Sequence, residues 1–307
     1  MKLKLLDTKS WELVSGNSGN QHLVRINKAA RSYKFFLLKN KRIDNVNFIG
    51  MVPIVSSEEE IFYKRRVIER SIRISNEVKM VELPEVIDCF DVLTSSGFKL
   101  PMVVTEYING RSLIDCVETN GLNGYEGTNW KDYINLQRLS RILKKLVKIQ
   151  EHFMEYNLAH IGFFPEHLIL QVDDTVRITS FRSIVGTEGQ YVTDKAILEV
   201  EKYGPLYREG ISGSIIFNYQ MNKNATINVT KLFARQIGEL LFYVLTGLTT
   251  KDLEDAEDVK ELLKKVDYSV PKQYVDIVRE TIRLLLYPQL KTMSGITDKI
   301  IKIAPKH

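Results

Sequence analysis

The sequence predicts an α+β protein in two lobes. The smaller lobe spans residues 1–108 and carries an antiparallel sheet with one main helix; the larger, over 109–307, is mostly helical. Three observations predict this. Short apolar or partly alternating runs, bounded by Gly and Asn turns, fill the first third. One capped helix interrupts them after Ser57. Beyond Ile108-Asn109-Gly110-Arg111, apolar residues recur at three- and four-residue intervals.

Glu12-Leu13-Val14 begins the sheet and enters the polar turn Ser15-Gly16-Asn17-Ser18-Gly19-Asn20. His22 to Ile26 and Ser32 to Leu38 are the next strands, with Asn27 to Arg31 as a hairpin turn. Ser57 is a helix cap, and Glu60 completes a capping box. Three acidic residues, Glu58-Glu59-Glu60, suit the positive helix end. That helix is expected to run to Ile74. Val86 to Leu93 and Met102 to Tyr107 read as strands joined by Ser95-Ser96-Gly97, giving a sheet of five strands.

Asn120 to Thr128 is a Gly- and Asn-rich loop. From Tyr133 to Tyr156, Leu136, Leu139, Leu143, Leu146, Ile149 and Phe153 form one apolar stripe, as on a core helix. Asp173-Asp174 marks a short hairpin between Leu168-Val172 and Val176-Thr179. Residues 183–228 have no long period. Phe233 to Leu245 reads as a buried helix ended by Thr246-Gly247. A charge-laced helix is expected over Asp252 to Val266, and a last helix runs from Tyr274 to Tyr287, stopped by Pro288.

With 307 residues, 44% apolar and 26% charged, the chain can bury a sizeable core. A net charge of +5 is modest. Basic blocks such as Lys39-Asn40-Lys41-Arg42 and Lys64-Arg65-Arg66 read as solvated faces, which argues against nucleic-acid or anionic-membrane binding. Two cysteines, Cys89 and Cys116, make no disulfide scaffold and fit a reducing, cytoplasmic setting. The start, MKLKLLDTKSWELV, does not read as a signal peptide. No apolar segment is long enough for a transmembrane span.

Val103-Val104-Thr105-Glu106-Tyr107-Ile108-Asn109-Gly110-Arg111, then His160-Ile161-Gly162-Phe163-Phe164-Pro165-Glu166-His167, then Val176-Arg177-Ile178-Thr179-Ser180-Phe181-Arg182 follow one another in order. Ile237 to Gly247 ends in Leu-Thr-Gly. This series resembles the hinge, catalytic loop, magnesium motif and large buried helix of the protein-kinase family. The resemblance covers nearly all of the chain. It implies a two-lobed protein-kinase-like fold, with both lobes forming one domain, and it implies a catalytically degenerate member, a pseudokinase.

Under that resemblance, the acidic and amide groups of phosphoryl transfer are replaced. Gly162 stands where an Asp would accept the substrate proton, and Phe164 where a Lys would meet the phosphate. His167 replaces a metal-binding Asn, and Ser180 and Arg182 replace the Asp and Gly of the magnesium motif. Phe233 stands where an Asp would brace the loop. Mg²⁺ prefers oxygen ligands, so His167 is a poor substitute. Charge placement is most of this chemistry. The resemblance therefore implies no catalysis and no cofactor. Arg182 would set a fixed positive charge in the metal's place. His160 reads as a buried structural residue.

The resemblance also outlines a nucleotide pocket: Gly16 and Gly19 over the phosphates, Lys39 (or Lys41) paired with Glu69 (or Glu60 or Glu77), and Thr105, Glu106 and Ile108 around the base. Its glycines lack the regular three-glycine spacing, so weak or no ATP binding is expected. The expected function is a protein-interaction scaffold or allosteric regulator whose partner is an active kinase or another signalling protein. Two alternatives stand. One is an enzyme using metal-independent, nucleotide-dependent group transfer, with carboxylates drawn from Asp173, Asp174, Glu188 or Asp194. The other is a small-molecule or phospholipid sensor.

Overall fold

Six strands build the N-terminal sheet: β1 (Leu3–Leu5), β2 (Trp11–Leu13), β3 (Tyr33–Asn40), β4 (Asn47–Pro53), β5 (Val86–Thr94) and β6 (Lys99–Glu106). Their order is β1-β5-β6-β4-β3-β2, and every pairing is antiparallel. The computed structural model describes residues 3–14, 32–118, 136–171, 173, 175–193, 205–250, 260–261, 263–268 and 270–304. Contacts divide the chain into two compact units. One holds Met1–Asn109 and Arg177–Ser183; the other holds Gly110–Val176, Ile184–Ala196 and Gly204–His307.

In the first unit, Leu5, Trp11, Leu38, Phe48, Val52, Val92, Leu100, Met102 and Val104 form the sheet's core. Trp11 meets Phe48 edge-on at 5.1 Å and stacks on Phe90 at 6.3 Å. Its indole N–H donates to Asp88 at 2.8 Å, so the ring is buried without orphaning its polar atom. Each fully buried aliphatic side chain here contributes about 1.5–3 kcal/mol. Helix α1 (Glu58–Val78) is capped by Ser57, whose hydroxyl accepts from the Glu60 N–H. The Glu60 carboxylate accepts from the N–H and hydroxyl of Ser56 rather than from the cap itself. The helix runs past Ile74 and ends at Lys79 in a left-handed conformation.

The protein-kinase-like, two-lobed fold class expected from the sequence is corrected here. The sheet has six antiparallel strands curled nearly into a barrel, which is not a kinase arrangement. Two strands went unread. β4 contains Gly50 and ends at Pro53, both weak strand formers, yet it sits between β3 and β6. β1 is only three residues long. The strand expected over His22 to Ile26 lies outside the described residues, as do Gly16, Gly19 and the loop over Asn120 to Thr128.

The second unit opens with β7 (Arg111–Ser112) and α2 (Leu113–Glu118), then α3 (Leu136–Glu155). All six expected stripe residues of α3 are buried. The Ser140 hydroxyl, also on α3, donates to the carbonyl of Ile300 at 3.1 Å. β8 (Leu158–His160), β9 (Leu168–Leu170), β10 (Val176–Ile178, of which Arg177 and Ile178 belong to the first unit), β11 (Ile184–Glu188) and β12 (Tyr191–Val192) are short. β8 pairs with β11, β11 with β12, and β7 with β9. Then come α4 (Pro205–Glu209), α5 (Ile211–Met221), α6 (Val229–Thr246), α7 (Val275–Leu286) and α8 (Met293–Lys302). Asn228 caps α6, and Gly247, at φ 73°, ends it. The helix expected over Asp252 to Val266 lies mostly outside the described residues; Lys264–Tyr268 is a 3-10 turn. Among the described residues, no helix is long and apolar enough to cross a membrane.

Candidate functional site

In the second unit, the loop from His160 to His167 carries Gly162, Phe164 and His167, and every residue in it is buried. Its backbone is tied down at its start. The Gln150 side-chain oxygen accepts from the His160 N–H at 3.1 Å, and the Gln236 amide donates to the Ile161 carbonyl at 2.8 Å. The Gly162 N–H donates to His160 Nδ1 at 3.2 Å. Pro165 opens a 3-10 turn that ends at His167 and needs no N–H at that position.

Rings fill the space around this loop. Phe163 packs against His160 at 4.7 Å and edge-on against Phe233 at 5.0 Å. Phe164 meets Tyr207 edge-on at 5.6 Å and His167 at 6.4 Å. Burial pushes the Tyr207 hydroxyl up to about 12. Phe233 is therefore a packing residue. The bracing of the loop falls to Gln236, one turn further along α6, which sequence reasoning did not single out.

The other motif folds into the first unit. Ser180 is buried, its hydroxyl 3.3 Å from that of Ser183. Arg182 is 3% exposed. Its guanidinium lies 4.1 Å over the Tyr33 ring, 5.9 Å from the Phe35 ring, and hydrogen-bonds to the Met51 sulfur. Lys64 of α1 also points at Tyr33, at 4.9 Å, and is buried. Two cations thus share one aromatic ring, an arrangement that stabilises each desolvated charge through the ring quadrupole. Arg177 pairs with Glu106 and donates to the Leu83 carbonyl.

The nucleotide-pocket residues are dispersed differently. Lys39 is exposed on β3, opposite Glu12 and Asn47, and Glu69 is exposed on α1. No ion pair joins the two among the described residues. Thr105 is buried in β6. The Glu106 N–H is taken by the Glu85 carbonyl at 3.1 Å, and its carboxylate accepts from the Glu85 N–H. Ile108 is half-buried.

Sequence reasoning also missed Glu239, a fully buried carboxylate on α6. It accepts from the Ser212 N–H at 3.2 Å, from the Ser212 hydroxyl, and from Thr250 at 2.7 Å. Burial raises its carboxyl above the ordinary value, against the pull of these donors. Gly210 makes room for it, since a Cβ there would lie 2.6 Å from the carboxylate and 2.3 Å from the Leu206 carbonyl. Its signal was a lone Glu inside the apolar run Ile237 to Leu245.

Among the described residues, no group of three or more His, Cys, Asp or Glu side chains is placed to hold a metal ion. Compared with models of known protein families and with curated proteins, the chain matches none.

Proposed function

We propose that this chain is a non-catalytic protein-interaction module that acts as a scaffold or allosteric regulator of a partner protein. The observation that carries the reading is the packing of the His160–His167 loop: Ile161, Phe163, Phe164 and His167 are each at most 1% exposed. Phosphoryl transfer needs an accessible cleft that places charged groups around the phosphates. This loop instead supplies aromatic surface to a core. Arg182, the charge next to Ser180, is committed to Tyr33. The likeness to degenerate protein kinases supports the reading through sequence motifs alone, and the reading does not depend on a kinase fold. The partner is an active kinase or another signalling protein. Both cysteines, Cys89 and Cys116, are unpaired thiols, which fits a cytoplasmic setting.

A thermal-shift titration tests this. ATP, ADP and AMP, each with Mg²⁺, Mn²⁺ or EDTA, should move the melting temperature by no more than about 1 °C, because a ligand that binds the folded state stabilises it by mass action. A saturable shift with any nucleotide would overturn the reading. Affinity capture followed by mass spectrometry, then binding with the purified candidate, should yield a protein partner.

A further inference from the structure

We propose that two neighbouring turns of the first unit, residues 6–10 and 41–46, dock onto the surface of an anionic phospholipid bilayer. Such docking goes beyond the interaction role above and does not depend on it. Residues 6–10 join β1 to β2, and residues 41–46 join β3 to β4. Local side chains hold each turn. Asp7 accepts from the N–H groups of Lys9 and Ser10 at 3.1 Å, and the Asn40 side chain accepts from the Arg42 N–H at 2.9 Å. Two bonds tie the turns side by side. The Lys41 N–H donates to the Ser10 carbonyl and the Lys41 ammonium to the Thr8 carbonyl, both at 2.9 Å.

Every residue from Lys41 to Val46 is exposed, so this turn projects. Ile43 is 45% exposed and Val46 42%, and Leu6 on the neighbouring turn is 49% exposed. Aliphatic residues scattered singly on a surface need no explanation, but three on adjoining hydrogen-bonded turns, bordered by charge, mark a contact surface. Five exposed cations stand in or beside the turns: Lys4, Lys9, Lys39, Lys41 and Arg42. Of the carboxylates there, Asp7 is turned back on its own turn and Glu12 lies opposite Lys39 across β2 and β3, which leaves Asp44. The Lys41 ammonium keeps its charge and its remaining donors beyond the bond to Thr8.

The combination selects the occupant. The basic block from Lys39 to Arg42 alone reads as a solvated face, and its small surplus of charge would hold no polyanion firmly. Beside it stand aliphatic side chains that burial favours. A bilayer interface satisfies both. Ile43 and Val46 enter the boundary of the acyl chains, and lysine and arginine meet the phosphates above them. Nucleic acid satisfies only half. Its backbone would bury no aliphatic group, and neither turn carries an aromatic ring on which a base could stack. Projecting turns likewise form no groove for a peptide segment. Each attraction is weak by itself, so binding needs both and reverses as salt rises.

Co-sedimentation of the full chain with vesicles is the test. Vesicles of phosphatidylcholine and phosphatidylserine in equal parts should carry it down, and phosphatidylcholine alone should not. The variant K9Q/R42Q removes two cations from the interface; it should weaken binding about thirtyfold and flatten its salt dependence. The variant I43S/V46S should weaken binding at least about fivefold and leave the salt dependence as it was. All four residues are exposed, so circular dichroism and melting temperature should match wild type. Equal sedimentation of wild type and I43S/V46S would overturn the proposal. So would a failure of phosphatidylserine to improve on phosphatidylcholine, or tighter binding to a DNA duplex. Capture of a protein partner by a chain that vesicles do not hold would remove membrane docking and leave the interaction role standing. A saturable nucleotide shift would strike that role, and vesicle binding with the expected variant losses would still support docking.

Discussion

Replacing Phe163 by Ala is the sharpest perturbation of the packed loop. The ring is 0% exposed and held between His160 at 4.7 Å and Phe233 at 5.0 Å. Its removal forfeits transfer energy and leaves a cavity that neighbours tied by Gln150 and Gln236 cannot readily fill. Such changes cost about 3–5 kcal/mol. The two ring contacts account for about 0.5–1.5 kcal/mol each within that sum. For a unit of this size, 1 kcal/mol corresponds to roughly 2–4 °C in melting temperature, so a fall on the order of 10 °C is expected. Urea unfolding followed by circular dichroism measures it, with a lower midpoint and an unchanged slope. Phe163→Leu should lose less. A loss below about 1 kcal/mol for Phe163→Ala would refute the reasoning, because it is the size seen at surfaces.

Two further outcomes are expected. Burial holds the Glu239 carboxyl above its ordinary 4.5, so the folded chain binds that proton more tightly than the unfolded chain does. The resulting stabilisation is complete below about pH 4.5 and is lost as pH rises through the raised folded value. The stability of wild type minus that of Glu239→Gln, from urea midpoints, should therefore fall with rising pH, and a flat difference would show an ordinary carboxyl. Burial also pushes the Cys116 thiol up to about 11. Iodoacetamide at pH 8 should label exposed Cys89 and spare Cys116 until denaturant is added, as read by peptide mass spectrometry; similar rates would place Cys116 in solvent.

Periodicity made much of the chain legible. The stripe on α3, the caps of α1 and α6, and the apolar runs of β3, β5 and β6 each leave a local signature. β4 leaves little, because Gly50 and Pro53 speak against a strand and only its neighbours hold it there. The fold class was misread for the same reason. Motif order along a chain does not fix how many strands pair or how far a sheet curls. At the candidate site, that Gly162, Phe164 and Ser180 carry no charge could be read directly. The partners of Arg182 could not, since Met51 is 131 positions away and no local pattern joins them. Lys64 shows a third case. It occupies a buried-stripe position of α1, and a lysine there reads locally as part of a basic run.

Hydrogen exchange across residues 158–183, with and without ATP and Mg²⁺, tests the central claim most directly. The amides of Phe164 and His167, bonded to the carbonyls of Gly162 and Phe164 at 2.8 and 2.9 Å, should exchange slowly and at the same rate in both conditions. Exchange within seconds that nucleotide then slows would reveal an open, ligand-binding cleft and contradict the account.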